Sequence, residues 1–463
     1  MIGDRPYFFC GIGGSGMLPL ALILKAQGQT VAGSDRALDQ GRTPEKFDFL
    51  KKQGIAMFPQ DGSGITRSDQ IVVVSAAVEQ TVPDVKAACE RGCKIVTRAE
   101  LLAQLFNAAE TSIGVAGTSG KSTATGMIGW ILREAGRDPT VMNGAVMKNF
   151  LTAEQPFASA LVGASGLFVS EVDESDGSIA RYRPAIALVN NISRDHKTMD
   201  ELRLLFRDFV AKADMAVLNL DNAESAALQP FAKVRLTYSL GSVRADYRAA
   251  DIELEPDGVA FTVQALQKNV SVKLNVPGRH NIANALAAIA AAHAAGVSIE
   301  QSCAALGRFA GIRRRLEVVG RANAITVIDD FAHNPDKIAA TLDTLHEFPG
   351  RLLVLFQPHG YGPLKNMKDE FIAGFAEKLA AQDVLIVSEP VYFGGTTDKS
   401  VGSADIANGV AGHGRTAFAP GDRGESGTKL LDLVRRGDRI VIMGARDDTL
   451  SAFAREILRA IEK

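Results

Sequence analysis

Cysteine and tryptophan are scarce: the 463 residues include four cysteines and one tryptophan. Cys10, Cys89, Cys93 and Cys303 are too few for a disulfide framework, and only Cys89 and Cys93 are close together. No second pair or neighbouring histidine completes a zinc pattern, so the four read as buried free thiols of a reducing compartment. An excess of charge is missing too. The 51 basic and 53 acidic residues leave a net charge of −2, which gives no reason to expect nucleic acid or a membrane surface as partner. Any anionic ligand must be held by local features. No apolar run reaches the ~20 residues of a membrane span. The opening Met-Ile-Gly-Asp-Arg-Pro shows no charged-then-apolar leader, so the expected location is the cytoplasm.

What is present is a globular composition, 46% hydrophobic and 22% charged, on a chain long enough for about three domains. Three stretches alternate apolar strands with helical patterns, the signature of parallel α/β layers. The first opens with Pro6–Cys10, a glycine loop and a helix over Met17–Ala26, and continues through strands at Gln70–Ser75 and Lys94–Thr97. The second has a strand at Ser112–Ala116, a glycine-rich loop, a helix at Ala124–Ala135, and strands at Leu167–Val172 and Ala185–Val189. Gly241–Val276 breaks the pattern with shorter alternating segments that predict antiparallel strands, and an alanine-rich helix follows over His280–Ala295. Gly311–Arg315 reads as a hinge. The third stretch carries strands at Ala324–Ile328, Arg351–Phe356, Asp383–Ser388 and Arg439–Met443. The expected fold is α/β in three domains, residues 1–107, 108–312 and 313–463.

Four motifs carry chemistry. Gly117-Thr118-Ser119-Gly120-Lys121-Ser122-Thr123 follows a strand and opens a helix. Small residues there let backbone N–H groups turn around phosphate oxygens; Lys121 would reach the β/γ-phosphates, and the Ser122 hydroxyl suits Mg²⁺. The usual spacing asks for glycine at 115, where this chain has Val115, so the loop is a variant. Gly11-Ile12-Gly13-Gly14-Ser15-Gly16 matches the dinucleotide-binding fingerprint, with Asp35 about twenty residues on. By itself that loop suggests an NAD-dependent dehydrogenase, although its glycines read a pyrophosphate and not a nicotinamide. Glu171-Val172-Asp173-Glu174-Ser175-Asp176 sets four carboxylates at a strand end, where they could hold Mg²⁺ or form a solvated turn. Asn191-Ile192-Ser193-Arg194-Asp195-His196 follows a further strand, which favours a metal or catalytic role for His196.

Taken in order, these motifs resemble the Mur ligase family of peptidoglycan synthesis over essentially the whole chain. The resemblance extends through Gly278-Arg279-His280-Asn281 with Asn284, Arg314-Arg315-Leu316-Glu317, Asp329 to Pro335, and Phe356-Gln357-Pro358-His359. It implies a nucleotide-sugar domain, a central ATPase and a C-terminal acceptor domain, with ATP and Mg²⁺ as cofactors. The implied reaction joins the carboxylate of UDP-N-acetylmuramate to an amino acid, L-alanine by default, or to a short peptide, through an acyl phosphate. Monomer and homodimer both stay open.

The resemblance also implies roles. Gly117, Thr118, Ser119, Gly120, Lys121, Ser122 and Thr123 would hold the ATP phosphates, with Ser122, Glu171 and His196 on Mg²⁺. Asn281 and Asn284 would lie near the adenine, and Arg315 and Asp330 would close over the ATP. Gly11, Gly13, Gly14, Ser15, Gly16, Ser34 and Asp35 would bind the UDP-sugar, and His333 and His359 would lie near the acceptor amine. Lys121, Glu171, His196, Arg315 and His333 form the expected catalytic set. Departures fall at Ser119, Asn334 and Gly360, where these ligases carry histidine, histidine and arginine. The last removes a bidentate clamp for an amino-acid carboxylate. A non-catalytic nucleotide-binding homologue is the remaining alternative.

Overall fold

A computed structural model describes residues 5–75, 78–193, 197–391, 398–445, 447 and 449–462. Three sheets follow one another along the chain, dominated by parallel pairing. By density of contacts they fall into two compact units. One comprises Met1–Glu253, Ala260–Asn275 and His280–Ile312; the other comprises Arg313–Lys463 with the short pieces Leu254–Val259 and Val276–Arg279.

In the first sheet the fully buried strand Tyr7–Cys10 is central and pairs in parallel with Val31–Ser34 and with Ile71–Val74. Ala56–Phe58 and Lys94–Thr97 extend the two sides. The chain therefore runs outward on one side and then crosses to the other. That reversal leaves a crevice beyond the carboxyl end of Tyr7–Cys10, where the loop at 11–16 lies. The helix Met17–Ala26 starts directly after that loop and buries every residue from Met17 to Leu24, as its near-continuous apolar sequence demands.

Ten strands form the second sheet, and its parallel centre is Met215–Asn219, Ile186–Val189, Thr111–Ala116 and Leu167–Glu171. The pattern break after residue 241 becomes three successive strands at one edge, Tyr247–Glu255, Gly258–Ala265 and Lys268–Leu274. The helix expected from Ala124 begins earlier, at Lys121, because Gly120 takes the left-handed conformation (φ 80°) as its N-cap. This places Lys121 in the first helical turn, aimed back at the loop.

The third sheet has the order Glu317–Ala322, Ile325–Asp330, Arg439–Gly444, Leu352–Gln357, Val384–Val387, Thr416–Phe418. Its first strand, absent from the sequence reading, is a half-buried edge paired antiparallel to Ile325–Asp330. The two-residue turn uses Asn323 and Ala324, both at positive φ (51° and 61°), a hairpin geometry normally announced by Asn-Gly.

Within the first unit one apolar core runs continuously from Tyr7 to Leu228. Phe106, on the helix Arg98–Asn107, meets Phe168 and Tyr182 edge-on at centroid distances of 5.9 and 5.1 Å. It thus ties the last helix beside the first sheet to the second sheet. Phe106→Ala should destabilise this unit by roughly 3–5 kcal/mol, read as a lower urea midpoint. An unchanged midpoint would mean that the two sheets fold independently of this contact.

Candidate active site

The loop at 117–123 is shaped by two glycines and one asparagine. Gly117 (φ 143°) and Gly120 (φ 80°) supply the backbone conformations that turn the chain. Asn191, just past the strand Ile186–Val189, holds the segment between them. Its Oδ1 accepts from the Thr118 hydroxyl and the Ser119 amide, both at 2.9 Å, and its Nδ2 donates to Ser119 O at 3.2 Å. The Asn191 carbonyl accepts from Thr118 N at 3.1 Å. Ser119 stays exposed at the tip. Ser122 and Thr123 are buried in the first helical turn, and Ser122 O accepts from Asn143 Nδ2 at 2.9 Å.

Lys121 Nζ reaches Gly117 O at 2.6 Å and Glu174 Oε2 at 2.8 Å. Burial pulls its pKa down, but Glu174, Asp173 and Glu171 outweigh that and hold the ammonium above its ordinary value. The acidic run is therefore not a solvated turn. Glu174 pairs with the lysine, Asp173 accepts from Ser175 N and Oγ at 3.0 and 2.8 Å, and Asp176 lies 3.7 Å from Arg98. Glu171, at the strand end, accepts from Gly144 N at 2.6 Å. His196 and its neighbours Arg194 and Asp195 lie outside the described residues.

In the N-terminal loop Gly14 and Ser15 are exposed at the tip, and Gly16 caps the helix Met17–Ala26. Gly13 is buried beneath them and tightly packed: an added Cβ would stand 3.0 Å from Asp35 Oδ2 and 3.1 Å from the Phe47 ring, so both side chains would have to shift. Asp35, expected at the UDP-sugar, accepts from Gly13 N and from Ala37 N, each at 2.8 Å. Ser34 is buried and its hydroxyl donates to Asp84, so its side chain faces the domain interior and not the crevice. Cys10 lies beside the same carboxylate, and burial together with Asp84 pushes its thiol up to about 12. Cys10 and Cys303 are buried as expected, whereas Cys89, on a surface helix, is exposed and Cys93 is half-buried. Gly11 (φ 80°) starts the loop by donating its amide to Ser34 O at 2.9 Å.

The second unit gathers its expected residues at the carboxyl ends of its own parallel strands. Arg314 and Leu316 both have positive φ (57° and 47°), so the expected hinge continues past Gly311 as a strained stretch. Asp330 secures it: Oδ2 accepts from Leu316 N at 2.6 Å, and Oδ1 accepts from Ala332 N at 2.7 Å and the Thr341 hydroxyl at 3.3 Å. Asp330 is thus a loop organiser within this unit. Arg315 lies over the Phe331 ring at 4.6 Å. His333 bonds Phe331 O through Nδ1 at 2.8 Å and meets His359 edge-on at 5.2 Å. Asn334, in place of a histidine, caps the helix Pro335–His346 by accepting from Lys337 N. Among the described residues, the atom nearest to a Cβ added at Gly360 (φ 148°) is Pro363 Cδ, 3.6 Å away.

Two residues here were not singled out by the sequence. Asn190 follows an apolar strand directly, one residue before the motif at 191–196, and that position was the available signal. Lys46, which donates to Gly13 O at 3.1 Å, carries no motif, because 33 residues separate the partners.

A phosphate loop with a partly buried cation, and a second glycine loop on its own parallel sheet, define an α/β enzyme that uses nucleotides. Its sequence matches three parts of one family in chain order. These are the Mur ligase family catalytic domain over residues 6–110, the Mur ligase middle domain over 115–292, and the Mur ligase glutamate ligase domain over 314–446. It is 35% identical over 447 residues to the UDP-N-acetylmuramate--L-alanine ligase of Geotalea daltonii, with 94% of each chain covered. To the enzyme of that name from Paracoccus denitrificans it is 34% identical over 473 residues, covering 98% of this chain and 96% of the relative. The solved UDP-N-acetylmuramate-alanine ligase of Thermotoga maritima shares the fold at a TM-score of 0.79 and 24% identity, covering 98% and 99% of the two chains. The murein peptide ligase of Psychrobacter arcticus gives 0.73 and 26%, covering 99% of each. The chain belongs to the Mur ligase family and is an ATP-dependent ligase of that type. The dehydrogenase reading of the 11–16 loop falls with this assignment.

His333 gives this site a pH signature. Burial and the Lys337 cation lower its pKa to about 3, against the hydrogen bond to Phe331. Its unfolded value is about 6.5, so it takes up a proton on unfolding, and stability falls as pH drops below that value. Between about pH 7.5 and pH 5.5 the thermal midpoint of His333→Gln should fall less than that of the wild type. Equal falls would contradict a buried neutral imidazole.

Proposed function

We propose that this ligase activates the carboxylate of UDP-N-acetylmuramate with ATP and joins it to an amino acid, L-alanine by default, in peptidoglycan synthesis. The carrying observation is Lys121, a partly buried ammonium at the mouth of the 117–123 loop and 2.8 Å from the buried Glu174. A carboxylate attacking a triphosphate meets charge repulsion, and a cation held in a low-dielectric site offsets it. The sugar carboxylate oxygen would attack the γ-phosphorus, giving an acyl phosphate and ADP. The amine would then add to the acyl carbon, and phosphate would leave with that oxygen.

Mg²⁺ fits the donor set: a hydroxyl at Ser122 and a carboxylate at Glu171 are hard oxygen ligands, and His196 is the third expected ligand. When bound it would neutralise phosphate charge. The domain roles follow chain order, with residues 1–107 taking the UDP-sugar, 108–312 the ATP and 313–463 the amine. Exposed Gly14 and Ser15 suit the pyrophosphate, and Asp35 would act by shaping the loop. The His333–His359 pair would face the acceptor, and Arg315 would close over the ATP.

A second reading, a tripeptide donor, is favoured by one feature. Gly360 supplies no guanidinium where a carboxylate clamp would stand. The relatives of highest identity given above carry the L-alanine name, which supports the first reading.

A donor screen with ATP, Mg²⁺ and UDP-N-acetylmuramate separates the two. Phosphate release with L-alanine supports the first reading; release with the tripeptide and not with L-alanine supports the second. Lys121→Ala should abolish ADP formation, and unchanged turnover in that variant would refute the assignment of the loop.

A further inference from the structure

Behind the phosphate loop lies a line of hydrogen-bonded side chains that the chemistry above does not use. Tyr238, on the strand Arg235–Ser239, is 1% exposed, and its hydroxyl donates to Asn190 Oδ1 at 2.9 Å. Asn190, 2% exposed, donates from Nδ2 to Asn284 Oδ1 at 3.1 Å. Asn284, 6% exposed, donates from Nδ2 to Asn281 Oδ1 at 3.2 Å. The backbone at Asn190 is fixed separately, its carbonyl accepting from Asn219 Nδ2 at 2.9 Å.

This line has a direction. A phenol has one proton to give, and each amide has one accepting end and one donating end. With Tyr238 donating, Asn190 must turn its oxygen to the phenol and its nitrogen to Asn284, which in turn must present its nitrogen to Asn281. Burial, with Asp221 nearby, raises the Tyr238 pKa and keeps the phenol a donor. The middle bond of the line lies against the loop itself. A Cβ on Gly120 would stand 2.6 Å from Asn284 Oδ1 and 2.8 Å from Asn190 Nδ2. Gly120 is the residue before Lys121, so the Asn190–Asn284 bond is the floor on which the turn into the helix rests.

We infer that Tyr238 and Asn190 are positioning residues for nucleotide binding, orienting the Asn284 amide and seating the phosphate loop at Gly120. Neither side chain takes part in the transfer of the phosphoryl group. Their effect belongs to the affinity for the nucleoside triphosphate and not to the rate of the chemical step. The inference rests on the reading of 117–123 as the ATP loop.

Tyr238→Phe tests it, because it removes one oxygen and keeps the ring that fills the core. It leaves Asn190 Oδ1 without its donor, so KM for ATP should rise about five- to tenfold. Turnover at saturating ATP and KM for the UDP-sugar should stay within about twofold. Asn190→Asp sets an acceptor against Asn284 Oδ1 and should raise KM for ATP further. Tyr247→Phe serves as the structural control, since Tyr247 is equally buried but bonds His293 outside the line; KM for ATP should not change. Calorimetry with a non-hydrolysable ATP analogue reads the same affinity without turnover. Equal analogue binding by wild type and Tyr238→Phe would overturn the positioning role while leaving the ATP site intact. Equal losses in Tyr238→Phe and Tyr247→Phe would overturn it as mere core stability. A wild type that binds no analogue would overturn the ATP reading and this inference together.

Discussion

The ion pair between Lys121 and Glu174 sets the terms for everything around it. Removing two charges from water is costly, and a buried pair of this kind is weak evidence for stability. Its value is a cation kept charged and partly desolvated at the start of a helix, where the backbone also favours anions. A polyphosphate arriving at the loop offers the ammonium a stronger partner than one carboxylate. Asp173 and Glu171 then remain beside it, one held by Ser175 and the other by Gly144.

The phosphate-loop end of this unit is built around that cation. Gly117 and Gly120 let the backbone turn, and Asn191 grips Ser119 from both its donating and its accepting sides. Asn190, one residue earlier, faces the opposite way and bonds the buried polar line behind the loop. Two consecutive asparagines thus serve the two sides of the loop, as side chains of neighbouring residues in extended backbone point oppositely. In the loop at 11–16 the same economy appears in Asp35, whose two oxygens hold Gly13 and the next helical turn.

Much of this was legible because the signals are local. Met17–Ala26 and Lys94–Thr97 have the boundaries expected from the sequence, since an apolar run closed by turn residues leaves little choice. The phosphate loop and the acidic run were visible as motifs. What was hidden depends on contacts distant in sequence. Glu174 meets Lys121 across 53 residues, and Tyr238 meets Asn190 across 48. The edge strand Glu317–Ala322 was hidden for a different reason: it is half-buried and polar, and its turn uses Asn-Ala where Asn-Gly would have marked a hairpin. Asp35 and Ser34 likewise make contacts that no motif announces, one to Gly13 and the other to Asp84.

The central claim is that ATP activates a carboxylate at this site, and following an oxygen atom tests it most directly. UDP-N-acetylmuramate carrying a heavy-oxygen label in its carboxylate is turned over with ATP and the amine that the enzyme accepts. The account predicts that each phosphate released carries one labelled oxygen, because the attacking oxygen leaves with it. Unlabelled phosphate, with ATP consumed and the label retained in the sugar, would contradict it.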